Sequence, residues 1–439
     1  MQTIRKDPLR ALRYAALLLS GQGPRGDFSR RFMRRLFRRA GIYKALDFVL
    51  GLFLGRWDMA IRMLACREGL KGWPSARSVP RILLLGMGSV GDVLQITPAL
   101  RVFREKFPAA KICLLHRSPA AATVLRGNPN VDLVATADFH QFDLIREAVK
   151  QDGAADLVVD IRSIDFLLAY TPAPPHLRSP AFSAVMPQEF FDTAEAAFRN
   201  WVRPHAVRPA DGRYEWPKEF RGITYLDVMG RLGNLPIHSR SALDFHIGNE
   251  ANAILKAIPQ DKPFITVQSG VDADVVGWAK VTGQRPTKLL PMETWRDAVA
   301  RLSALNFAII QLGTNDDLPI PGVTLDMRGK TSLEEAAAII RRAYCHLGTE
   351  GGLVHLARAV GTKSVVCFGP TAAAFLGYPQ NINLTASDCT GCWGSTVDWY
   401  IYCPRGFAEP PCMNAFTAQM IVDAVGGIGA SDQTGASAV

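Results

Sequence analysis

Residues 81–108, RILLLGMGSVGDVLQITPALRVFREKFP, change their hydrophobic period part-way along. Arg81 opens four consecutive apolar residues, Ile82 to Leu85, which stop at Gly86. A short apolar run bounded by glycine predicts a buried strand of a parallel sheet. Beyond Gly91 the apolar residues Val93, Leu94, Ile96, Leu100, Val102, Phe103 and Phe107 recur at helical spacing. The chain thus passes from strand to helix across Gly86, Gly88 and Gly91, with Asp92 on the last corner. Glycines there permit a tight turn and a close ligand, and the free N–H groups of a helix start favour an anion. Gly88, Ser89 and Gly91 are therefore candidates for a phosphate or acceptor loop.

Read literally, GMGSVG is the G-x-G-x-x-G fingerprint of dinucleotide-binding folds. That fingerprint wants an acid at the end of the second strand to hold the ribose hydroxyls. The second strand, Lys111 to Leu115, ends instead in His116 and Arg117. Arg117 could serve a cofactor with a 2′-phosphate, which keeps an NADP-linked oxidoreductase as an alternative. GKTS at 329–332 is no phosphate loop of the ATPase kind, because position 324 is Thr where that motif needs Gly.

Strand and helix signals alternate regularly from residue 81, with strands expected at 81–85, 111–115, 131–135 and 156–161. Helices are expected at 93–106, 119–126 and 140–151. A Pro-rich stretch, 171–218, carries a helix near 189–203, and another follows at 219–233. A second series begins near Lys262, with strands at 264–267, 307–312, 343–347 and 364–368 and helices at 292–304, 332–342 and 352–360. The fold class is α/β, with two Rossmann-like lobes facing across a cleft. Boundaries fall at 1–78 for a basic helical extension, 81–245 for the first lobe and 260–388 for the second. A cysteine-cluster loop and closing helix take 389–426, and 427–439 is a polar tail expected to be disordered.

The first turn resembles the opening motif of glycosyltransferase family nine, the family of the lipopolysaccharide heptosyltransferases. There the motif reads roughly GDxLxxTPALRxLRxxxP, matched here by Gly91, Asp92, Leu94, Thr97 to Arg101, Arg104 and Pro108. Gly329 to Thr371 resembles a second family segment, with matches at Thr331, Ser332, Leu333, Gly348, Gly352, His355 to Ala357, Gly361, Thr362 and Phe368 to Thr371. Thr287, Lys288, Pro291, Glu293 and Trp295 match a third pattern, in which Leu289 and Leu290 replace Arg-Trp.

The resemblance implies a GT-B fold and an inverting glycosyltransferase that moves heptose or a related sugar from a nucleoside-diphosphate donor, ADP-heptose, to a cell-surface glycan or glycolipid. Asp92 would be the catalytic base. Lys288, Glu350, Gly351, Gly352 and Thr314 would bind the donor, with no metal or other cofactor needed for catalysis. The family's Asp-Ser/Thr-Gly is Glu350-Gly351-Gly352 here, which lengthens the acid by one methylene and removes a hydroxyl. The residues alone also allow plainer roles. Asp92 could be a helix cap worth ~1 kcal/mol, Glu350 a capping acid, Lys288 a surface lysine and His355 a structural histidine. A catalytically silent transferase-like scaffold is therefore a further alternative.

The formal charge of +10 is unevenly spread. Residues 1–80 hold 17 Lys or Arg against 5 Asp or Glu, a net of +12, and the remaining 33 against 35 come to −2. A nearly neutral body does not indicate a nucleic-acid partner. Arg30, Arg31, Arg34, Arg35, Arg38 and Arg39 share one helical face, and the apolar run 46–54 follows. That pattern predicts an interfacial anchor on an anionic membrane, with a solvated helical extension as the plainer reading. The run is too short to span, and no secretory signal is evident. The expected location is the cytoplasm, peripheral on the inner face of the membrane. Cys389, Cys392, Cys403 and Cys412 form C-x2-C-x10-C-x8-C. They are candidate ligands of a structural zinc or iron, remote from proton transfer, with reduced thiols or a disulfide as alternatives.

Overall fold

The computed structural model describes residues 79–435 apart from 137–141, 143–144, 147–148, 151–152, 162–168, 202–222, 271–284, 387–388 and 394–398. The basic extension, Cys66 and positions 436–439 lie outside the described residues.

The apolar run forms strand β1 (Arg81–Gly86), buried along its whole length. Two short helices follow, α1 (Val90–Gln95) and α2 (Thr97–Lys106), where the sequence reading has one. Pro98 explains the break, since its ring and missing N–H suit the first turn of a helix and not the interior. Then come β2 (Lys111–His116), α3 (Ala120–Val124), β3 (Leu133–Thr136), β4 (Leu157–Ile161) and β5 (Ala169–Pro172). Helices α4 (Pro180–Val185), α5 (Gln188–Trp201) and α6 (Tyr225–Gly233) complete this lobe. The strands order as β3-β2-β1-β4-β5, all parallel except β5, which pairs antiparallel with β4. Helix α4 lies inside the stretch 171–218 that reads as irregular, and β5 runs into it, proline masking both periods.

The second lobe contains β6 (Phe264–Val267), α7 (Met292–Ala304), β7 (Ala308–Gln311), β8 (Leu325–Asp326), α8 (Leu333–Arg342) and β9 (Cys345–Thr349). It continues with α9 (Gly352–Ala359), β10 (Ser364–Phe368), α10 (Ala373–Leu376) and β11 (Ile382–Thr385). Its sheet is parallel throughout, ordered β11-β10-β9-β6-β7-β8. Its strands are short, and β6, β7, β9 and β10 are buried along their whole length, as strands covered on both faces are. The chain closes with α11 (Pro411–Asn414) and α12 (Ala418–Gly435). Helix α12 packs on α7, burying Ile421, Val425 and Ile428. It runs on to Gly435, so most of the stretch expected to be a disordered tail is helical.

One apolar core carries residues of both lobes, among them Val93 and Leu94 of α1 and Leu353, Val354 and Leu356 of α9. Polar ties reinforce this seam. Arg126 pairs with Glu334 at 2.9 Å, and Arg358 donates to the carbonyl of Arg240 at 2.9 Å. Among the described residues no helix is long and apolar enough to cross a membrane.

Candidate active site between the lobes

The turn after β1 is built around Asp92. Its Oδ2 accepts from the Ser89 backbone N–H at 2.7 Å and from the Ser89 hydroxyl at 3.2 Å, closing a capping box on α1. Gly88 has a φ of 108°, and a Cβ there would meet the Asp92 carboxylate at 2.3 Å. Glycine is thus required on both counts. Asp92 itself is exposed, and its charge reaches the phenol of Tyr225 at the start of α6. Burial and that charge together push the Tyr225 phenol well above its ordinary value. The capping role and a basic role use the same carboxylate, so the geometry admits both.

Across the seam, β9 ends in Thr349 and delivers Glu350, Gly351 and Gly352 to the start of α9. Gly351 is extended, and a Cβ there would meet only the Thr349 carbonyl at 3.8 Å. A serine or threonine side chain therefore has room at this position. Glu350 is buried, and Lys288 closes on its Oε2. Lys288 also donates to the Glu350 carbonyl at 3.4 Å. Burial alone would raise the Glu350 carboxyl, but the Lys288 charge and a hydrogen bond from His355 outweigh it and hold it at about 2. Lys288 is half-buried rather than on the surface, and its ammonium lies 5.5 Å from the Trp399 ring centre.

His355 is more than a space-filler in α9. Its Nε2 lies 3.3 Å from Glu350 Oε1 and its Nδ1 2.6 Å from the Tyr378 hydroxyl. Thr314 is exposed after β7, and its hydroxyl donates to Asp317 Oδ1 at 3.1 Å. Asp317 is buried, which raises its carboxyl, and its Oδ2 has no partner among the described residues. The structure thus unites Lys288 with Glu350 and sets Gly91 beside Gly352. Among the described residues, the Thr314 hydroxyl bonds to Asp317 and not to that group. Tyr225, Tyr378, Trp399 and Asp317 belong to no motif that the sequence offers, and only the fold brings them to this group.

The cysteine loop is not remote from this group. The Trp399 carbonyl accepts from the Thr287 hydroxyl at 2.9 Å, one residue from Lys288. A Cβ on Gly369, at the end of β10, would sit 3.0 Å from Cys412 Sγ. Cys389, Cys392, Cys403 and Cys412 are all free thiols within electrostatic reach of one another. Burial and those neighbours push Cys392 up to about 11 and Cys412 up to about 12. Crowded thiols resist ionising together, and a bound cation would relieve that opposition. The donor set therefore suits zinc or iron. Among the described residues, however, no three His, Cys, Asp or Glu side chains converge as a metal site.

Two mainly parallel-sheet lobes with helix starts and charged groups meeting at their seam define a GT-B fold. Residues 257–391 match the family described as glycosyltransferase family 9 (heptosyltransferase). Lipooligosaccharide heptosyltransferase 2 of Haemophilus influenzae is 24% identical over 195 residues, 37% of this chain and 55% of that protein. The match thus spans about half of that relative's length. The family 9 glycosyl transferase of Veillonella parvula superposes with a TM-score of 0.53 at 17% identity, covering 80% of this chain and 97% of that one. ADP-heptose heptosyltransferase II of E. coli gives a TM-score of 0.50 at 14% identity, covering 80% and 99%. At such identities the likeness establishes the fold.

Proposed function

We propose that the protein is an inverting glycosyltransferase that moves heptose or a related sugar from a nucleoside-diphosphate donor, ADP-heptose, to a lipopolysaccharide-type acceptor. Asp92 takes the proton from an acceptor hydroxyl, whose oxygen bonds to the anomeric carbon. The bond from that carbon to the diphosphate breaks on the opposite face, and the nucleoside diphosphate leaves with the electron pair. Lys288 and the N–H groups at Gly351 and Gly352 favour the departing anion, whose charge is greatest late in the reaction. No divalent metal takes part at the donor.

The observation that carries this reading is the meeting of the two turns. A Cβ on Gly91, next to Asp92, would lie 3.4 Å from the Cα of Gly352. The candidate base and the candidate diphosphate cradle therefore border one seam, as in-line displacement requires. The names of the relatives support the donor and acceptor, since one is an ADP-heptose lipopolysaccharide heptosyltransferase. The four cysteines hold a structural metal in this reading, and residues 1–78 attach the enzyme to the inner membrane face, where a glycolipid acceptor would lie. Calorimetry with ADP-heptose, other nucleoside-diphosphate sugars and NADP tests it. Binding of ADP-heptose or a close relative is expected. Binding of NADP, with none of the sugars bound, would support the oxidoreductase instead.

A further inference from the structure

A chain of buried polar groups crosses the seam. Gln95, the last residue of α1, is a side-chain hydrogen-bond partner of the Tyr378 phenol. The phenol stands 2.6 Å from His355 Nδ1, His355 Nε2 stands 3.3 Å from Glu350 Oε1, and Lys288 closes on Glu350 Oε2. Gln95, Tyr378, His355 and Glu350 are each less than 8% exposed. Water is therefore a poor substitute for any link.

The polarity of this chain follows from its Glu350 end. The Glu350 carboxylate beside Lys288 accepts, so His355 carries a proton on Nε2, 3.3 Å from Oε1. With the proton there, Nδ1 is the acceptor and the Tyr378 hydroxyl, 2.6 Å away, donates to it, which leaves the phenol oxygen able to accept from the Gln95 amide. Packing agrees with this, since the His355 and Tyr378 rings meet edge to face with centres 5.6 Å apart. We propose that Tyr378, oriented by Gln95, is a positioning residue that fixes His355 in its Nε2–H form and thereby aims Glu350 at Lys288 and the donor sugar. The turn that bears Asp92 and the carboxylate that faces the sugar are then set by one hydrogen-bonded series. The functional half of this inference rests on the transferase reading, while the tautomer does not.

The test uses full-length protein with 15N-labelled histidine, the His355 signals being identified by their loss in His355→Gln. Wild type should show the proton on Nε2 and a hydrogen-bonded, unprotonated Nδ1. Tyr378→Phe should lose that fixed form and populate both tautomers. In calorimetry it should keep ADP affinity within about twofold and lose about tenfold in ADP-heptose affinity, because only the sugar contact is disturbed. Gln95→Leu, which spares the phenol, serves as the second variant and should loosen the tautomer in the same direction. A wild-type proton on Nδ1, or imidazole signals unchanged in both variants, would overturn the proposal. Wild type that binds neither ADP nor ADP-heptose would count against the transferase reading, and the imidazole signals would still decide the relay.

Discussion

Gly91 lies so close to His355 that a methyl group on it would sit 2.5 Å from the imidazole Cδ2. One residue belongs to the first lobe and the other to the second. The seam is therefore drawn as tightly as a missing side chain allows, at the position next to Asp92. Glycine at 91 serves this approach between helices, because its own φ is not among the positive ones.

Gly91→Ala should consequently destabilise the protein although alanine is the better helix former. The helix preference offers up to about 1 kcal/mol, while forcing a side chain into a packed interior costs about 1–3 kcal/mol. A melting temperature lower by a few degrees is expected. A melting temperature equal to or above wild type would show that the seam can open without cost.

The Lys288–Glu350 pair yields a prediction with a definite pH window. Glu350 is held at about 2 against an ordinary 4.5, so its native pKa is depressed. Its contribution is complete above about 4.5 and is lost as pH falls toward about 2. Lys288→Met removes the cation and leaves a buried carboxylate facing only His355. We expect a loss of about 3 kcal/mol near neutral pH and a Glu350 carboxyl that protonates at higher pH than before. Denaturant titrations from pH 3 to pH 7 would show this. An unchanged pH profile in the variant would mean that the pair does not exist in solution.

Much of this architecture can be read before folding. The parallel strands announce themselves, since β1, β6 and β10 are short, mostly apolar runs buried along their whole length. Asp92, Lys288 and Glu350 stand out through local motifs. What local pattern does not carry is pairing at a distance. Lys288 and Glu350 are 62 positions apart, and nothing in either neighbourhood announces the other. Tyr378 likewise reads as one aromatic in a loop until the fold brings its hydroxyl to His355. Strand β5 was hidden because Thr171 and Pro172 suggest a turn as readily as an edge strand.

The cysteine loop should bind a metal that matters to stability before it matters to chemistry. Elemental analysis of protein purified without chelator should find about one zinc or iron per chain. Chelation should lower the melting temperature, while any protein still folded should keep the proposed transfer activity, in which no metal acts at the donor. Contact between Trp399 and Lys288 means that a loosened loop should raise the donor KM. Metal-free protein with an unchanged melting temperature would remove the site.

Residues 1–78 should confer salt-sensitive binding to anionic vesicles, because their charge is screened over ~8–10 Å at physiological salt. Sedimentation with phosphatidylglycerol vesicles should capture the full chain and release it as salt rises. A chain lacking these residues should stay in the supernatant. Equal capture of both forms would locate the membrane contact elsewhere.

The proposed transfer depends on Asp92, whose carboxylate caps α1 and is assigned the acceptor proton. Asp92→Asn keeps a side chain able to cap, so the fold and donor binding should survive. The decisive measurement is nucleoside-diphosphate release from ADP-heptose, with lipopolysaccharide-type acceptor, by wild type and Asp92→Asn side by side. Acceptor-dependent release by wild type, reduced at least about 100-fold in a variant of equal melting temperature and donor affinity, is the predicted result. Release by folded Asp92→Asn at the wild-type rate would contradict the assignment of the base. No release by wild type from any nucleoside-diphosphate sugar would contradict the transferase reading itself.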